Sequence, residues 1–188
     1  FHQRKPTNQC WLFNLFGVPL PSRNLDEVDH LAPYRIAFEG LKPGRHDFQM
    51  EVDQKFFGLF PHSEIEQAKL SVDVHLEKLG NQLDCQVRLQ GTIEVACDRC
   101  LGLFELETDF EDRVIAKLGE ETDLDGDVWI LGPELHELDL SQPIFEFAHL
   151  ALPTRRIHPD ESDCDPDMLD RLEGPGDGND DEEPMDPR

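Results

Sequence analysis

Two alternating apolar runs, joined by a two-residue turn signal, constrain this chain more than any other feature. Leu70, Val72, Val74 and Leu76 alternate with Ser71, Asp73, His75 and Glu77, the period of two that puts one face of a strand in a core and the other in water. A second run places Leu83, Cys85, Val87, Leu89, Ile93 and Val95 on one face. Gly80-Asn81 between them reads as a hairpin turn. If that turn closes the hairpin, facing residue numbers sum to 161. Leu76 then meets Cys85, Val74 meets Val87 and Val72 meets Leu89, all on the buried side. Asp73 faces Arg88 on the solvent side, and Gly91 marks a bulge or a close backbone approach.

The flanking sequence extends this sheet. Tyr34, Ile36 and Phe38 read as a short strand, and RHDFQMEVD (45–53) as another. QKFFGLF (54–60) and SEIEQAKL (63–70) read as short helical turns. LFELETDFEDRVIAKL (103–118) reads as a strand with Phe104, Leu106 and Phe110 on one face, and DVWILG and HELDL as short strands. SQPIFEFAHLAL (141–152) is the clearest helix. Ser141 is read as its N-cap and Pro143 lies in its first turn, while Ile144, Phe147, Ala148 and Ala151 follow helical spacing. Phe145 and Leu152 add a second apolar side, so deep burial is expected, and Pro153 ends the helix.

These elements predict an α+β fold, mainly antiparallel β-sheet with a buried C-terminal helix. A chain of 188 residues suits one core with flanks, and the reading divides it into an N-terminal arm (1–33), a single domain (34–172) and an acidic disordered tail (173–188). The tail has dense like charge and almost no apolar residues with which to offset the entropy of ordering. The first methionine is Met50, so Phe1 is not read as an ordinary start. Arg4 and Lys5 precede the apolar CWLFNLFGVPLP, but no small-x-small cleavage pattern follows and Asn14, Gly17, Pro19 and Pro21 interrupt the run. No stretch approaches the roughly 18 apolar residues of a membrane-spanning helix. Five cysteines, an odd number, fit a reducing cytoplasm better than a secreted disulfide scaffold.

Cys97 and Cys100 stand three apart at the end of the second alternating run. Taken alone, such a pair is a redox couple, half of a metal site, or two buried thiols. A thioredoxin-like couple usually opens a helix in a βαβ setting, and antiparallel strand patterns flank this one. Two thiolates three apart reach one tetrahedral ion through a tight turn, and two further donors occur in RRIHPDESDC (155–164), namely His158 and Cys164. Together the four form a candidate Cys3His structural zinc site pinning the loop after the helix to the strand end. Cys10 and Cys85 read as bystanders.

GTIEVACDRCL followed by LDLSQPIFEFAHLALPTRRIHPD resembles the bacterial and plastid YceD family, associated with accumulation of large-subunit ribosomal RNA. The likeness runs from about Tyr34 to Cys164 and rests on the combination of CxRCL with a helix ending in LALP. Members commonly carry a cysteine pair at the positions of Cys97 and Cys100 and His or Cys residues after the Leu-Pro, where His158 and Cys164 stand here. The resemblance implies a non-enzymatic role in ribosome biogenesis, with large-subunit ribosomal RNA or its precursor particle as partner. In many bacteria the family's gene adjoins that of a small basic large-subunit ribosomal protein, which implies a second class of partner.

Each partner has its own support in the residues. Arg99, Arg155 and Arg156 are the RNA-binding candidates, because arginines clamp phosphates and stack on unpaired bases. They are balanced locally by Asp160, Glu161 and Asp163. The formal charge of −24 instead favours a basic client, which this chain would escort. Residues 159–188 carry 13 Asp/Glu against Arg171 and Arg188, so the tail exaggerates an acidity that the body already has. No Ser/His/Asp arrangement, phosphate loop or H-E-x-x-H pattern appears, and four protein donors leave a metal no open position, so catalysis is not expected.

Overall fold

The structure is a computed structural model that describes residues 29–172. Most of the expected arm, Cys10 and the acidic tail lie outside these residues. The chain enters through a 3-10 turn at Ala32–Tyr34 and a short strand β1 (Arg35–Ala37). Then come β2 (Gly44–Asp53), a single helical turn α1 (Gln54–Phe57), β3 (Ala68–Leu79), β4 (Gln82–Ala96) and β5 (Leu103–Leu118). Two short strands, β6 (Val128–Leu131) and β7 (Glu137–Asp139), precede α2 (Ser141–Leu150), a second 3-10 turn and α3 (Pro166–Leu172).

The hairpin forms in the expected register: Leu79 opposes Gln82, Leu76 opposes Cys85 and Val72 opposes Leu89. Gly80 takes φ +57 in its turn, a conformation that costs glycine nothing. Strands β2 to β5 form an antiparallel meander in which β4 and β5 run 15 and 16 residues. β6 then pairs in parallel with the end of β5, so the five-stranded sheet is mixed rather than purely antiparallel. Alternation places side chains on faces but carries no strand direction, and the loop at 119–127 doubles back before β6 begins. β1 and β7 make a separate two-stranded antiparallel sheet, tied by Arg35 Nε to Asp139 Oδ2 at 2.9 Å.

One face of the large sheet carries the core. Met50, Val52, the four apolar residues of β3 and the inner residues of β4 are buried under α2, whose Ile144, Phe147 and Ala148 face the sheet. The turn α1, capped by Asp53 Oδ1 on the Lys55 N–H (2.9 Å), supplies Phe56 and Phe57. Tyr34 packs on Phe56 with ring centroids 4.6 Å apart, and Phe60 stacks on Phe145 at 4.4 Å. Gly91 is a close approach: a Cβ there would lie 2.1 Å from the Lys69 carbonyl oxygen, and its φ is +148.

Two local expectations are corrected, and a third holds in register alone. Residues 63–67 form a loop, not a helical turn; Ser63 Oγ exchanges hydrogen bonds with the Ile65 backbone, a local alternative to helix. Ser141 is the first helical residue rather than the cap, and it is Asp139 Oδ1 that accepts from its backbone N–H at 2.9 Å. Arg88 does oppose Asp73 in register, but its guanidinium makes a two-pronged bond to Asp109 on β5, at 2.9 and 2.6 Å. Among the described residues no helix is long and apolar enough to cross a membrane.

Candidate metal centre

Where β4 ends at Ala96 and β5 begins at Leu103, the six residues between fold into a knuckle. The Cys97 N–H donates to Gly102 O (2.9 Å) and the Leu101 N–H donates back to Cys97 O (2.9 Å). This closure holds Leu101 at φ +61, left-handed backbone that a leucine adopts only under constraint. It also turns the Arg99 N–H onto Cys97 Sγ at 3.4 Å. Gly102 runs against the cluster, since a Cβ on it would lie 3.4 Å from Cys100 Sγ.

The other half of the site arrives after α2. Leu152 and Pro153 turn the chain back over the strand ends, where Asp98 grips it twice. The Asp98 N–H donates to Arg156 O and the Arg156 N–H donates to Asp98 Oδ2, both at 2.7 Å. That clamp delivers His158 and then Cys164 to the knuckle. The donor atoms of Cys97, Cys100, His158 and Cys164 all lie within 4.8 Å of one another, the three cysteines buried and His158 half-buried. Phe104 lies against the His158 ring with centroids 4.7 Å apart, and Ile157, Met168 and Leu169 pack around the thiols.

The spacing fits a tetrahedral ion. Ordinary metal–thiolate and metal–imidazole distances give sulfur–nitrogen edges of about 3.6 Å. His158 Nδ1 stands 3.6 Å from Cys100 Sγ and 3.4 Å from Cys164 Sγ. The electrostatics agree. Burial raises the Cys97 thiol, but the backbone N–H groups of Cys100, Arg99 and His158 outweigh it and hold the group down at about 6. Burial pushes Cys164 up to about 11, reinforced by the neighbouring Cys100 and Cys97. One thiolate forms readily here and further ones are opposed by its charge, a conflict that a bound cation relieves. The four residues can therefore hold a metal ion.

Cys85 lies elsewhere, fully buried in the main core, where burial and then Asp84 push its thiol up to about 12. The Asp98 clamp sets the segment bearing Arg99 beside the one bearing Arg155 and Arg156. Arg155 is exposed, Arg99 is half-buried, and the Arg156 guanidinium lies 3.4 Å from Glu64. Asp98 and Gly102 were not singled out from the sequence, and Phe104 was read there only as a strand residue. Of these only Asp98 left a signal, as a short polar residue inside the CxxC turn.

A family profile described as large ribosomal RNA subunit accumulation protein YceD matches residues 85–188. The chain belongs to the YceD family. The match takes in all four donors of the YceD knuckle and the helix that returns the chain to it, starting at Cys85 rather than at Tyr34. No curated protein and no solved structure matches the chain.

Proposed function

We propose that this protein supports accumulation of large-subunit ribosomal RNA in the cytoplasm by binding rather than by catalysis, with zinc as a structural ion in its knuckle. The observation that carries the reading is the family match, which covers the knuckle, β5 and α2 together. Three thiolates and an imidazole in a compact tetrahedral set are a donor combination typical of zinc. Four protein donors leave no position for a substrate, which favours a structural over a catalytic ion. Bound there, zinc would fix the segment around Arg155 and Arg156 against the knuckle bearing Arg99. The three arginines would then face one RNA element with their spacing set in advance.

The test is a tagged pull-down from the native cells at moderate salt, with bound RNA sequenced, bound proteins identified and zinc quantified in the same preparation. Large-subunit ribosomal RNA or its precursor is expected, with zinc near one per chain, and Arg155→Ala combined with Arg156→Ala should reduce the RNA while leaving the zinc. Recovery of a free basic ribosomal protein without RNA would replace this reading with that of an acidic escort.

A further inference from the structure

The outer face of the large sheet is open, and its charge is one-sided. Along β2 to β5 it carries eleven carboxylates against five Lys/Arg. Most of those cations are already engaged within the face: Arg88 with Asp109 at 2.6 Å, Arg113 with Asp84 at 2.9 Å and Arg45 with Glu77 at 3.8 Å. The surplus collects at the knuckle end. There Glu94 directly opposes Glu105 across β4 and β5, and the next row runs Asp53, Lys69, Thr92, Glu107. Lys69 is the one cation in these two rows.

Two features set this region apart from an ordinary solvated face. Like charges directly opposite one another destabilise a sheet, whereas well-solvated surfaces intersperse the signs. The same spot is also concave, a cleft of about 220 Å³ whose lining includes Asp53, Lys69, Thr92, Glu94 and Glu105. We infer that this end of the outer face docks an arginine- or lysine-rich polypeptide segment, with one basic side chain seated in the cleft that Glu94 and Glu105 help to line. RNA is repelled from the same surface, so the inference stands apart from the arginines of the knuckle and does not depend on what they bind.

The probe is a fluorescent peptide of alternating arginine and alanine, titrated by anisotropy at fixed moderate salt against the full chain. The variant Glu94→Gln/Glu105→Gln/Glu107→Gln should weaken binding by about tenfold. A control, Glu120→Gln/Glu121→Gln/Asp125→Asn, removes the same charge from exposed positions in the loop before β6 and should weaken it less than about twofold. Equal weakening by both, or none by either, overturns the proposal, because net charge alone or another surface would then be responsible. Thermal melting of the free proteins supplies the second readout. Removal of the opposed carboxylates should raise the melting temperature, and a fall would remove the repulsion on which the argument stands.

Discussion

The sheet core and the knuckle beyond its end are both buried, by opposite means. The core is a continuous apolar layer in which the inner residues of β3 and β4 lie at 0–3 % exposure through most of their length, closed by α2. The knuckle buries three thiols within a thin shell of partly buried Phe104, Ile157, Met168 and Leu169. Hydrophobic burial scales with apolar area, so the first region holds itself together. The second has little such area, and its donors repel once ionised, so on the reading proposed above its order would rest on a bound cation together with the Asp98 clamp. The two regions should therefore fail separately, and from different causes.

The largest effect is expected in the core. Leu89 is fully buried between Val72 and Phe110, and Leu89→Ala should cost about 2–5 kcal/mol in denaturant unfolding. The metal content of the protein that remains folded should not change, and a coupled loss of metal would break the division into two regions. Gly91→Ala tests the backbone inside the same core. With the Lys69 carbonyl in the path of a new Cβ and φ at +148, roughly 1–3 kcal/mol should be lost. A neutral result would show that β3 and β4 can separate there without cost.

The knuckle should answer to metal and pH instead. Stripping the ion with a chelator, or replacing Cys97 and Cys100 with serine, should raise amide hydrogen exchange at 97–102 and 154–169 and leave β3 and the hairpin half of β4 protected. Exchange that rises equally along the sheet would sink the comparison. The sign of the pH dependence follows from the thiols. Cys97, held down at about 6, is ionised at neutral pH, whereas Cys164, raised to about 11 without a cation, still carries its proton. Metal loading must displace that proton, so loading strengthens as pH rises and is lost on acidification. Titrating zinc into the stripped protein in a weakly buffered indicator solution should release protons, and loading without proton release would contradict the thiol assignment.

The same contrast explains what was legible in the sequence. The core was readable because its signals are local: the runs at 70–76 and 83–95 declare their faces, Gly80-Asn81 fixes their register, and the spacing of Ile144, Phe147 and Ala148 declares a helix. The misreadings arose where local pattern is silent or imitates something else. Alternation has no direction, so β6 was expected as a strand but not its parallel pairing, and Ile65 with Ala68 imitate a helical repeat that the Ser63 hydroxyl diverts into a loop. Arg88 chose Asp109 over its directly facing Asp73, a choice among neighbours on both flanking strands. The knuckle was readable as chemistry, since Cys and His are the donor types. Its closure across 58 residues depends on Asp98 meeting the Arg156 backbone, which no residue spacing encodes.

The smallest effect sharpens the comparison most directly, because it changes a cysteine in the region where cysteine is only filler. Cys85 lies at 0 % exposure between Leu76 and Val114 with its thiol pushed up to about 12, so it behaves as a small apolar side chain. Cys85→Ala should cost about 1 kcal/mol for the small void and leave the metal content unchanged. In the metal-stripped protein near neutral pH, iodoacetamide should modify Cys97 well before Cys85, since the thiolate is the reacting form. Peptide mass mapping over a time course reads the order. If Cys85 reacted as early, the core would be opening as readily as the knuckle, and the separation between a self-sufficient apolar layer and a cation-dependent one would fall.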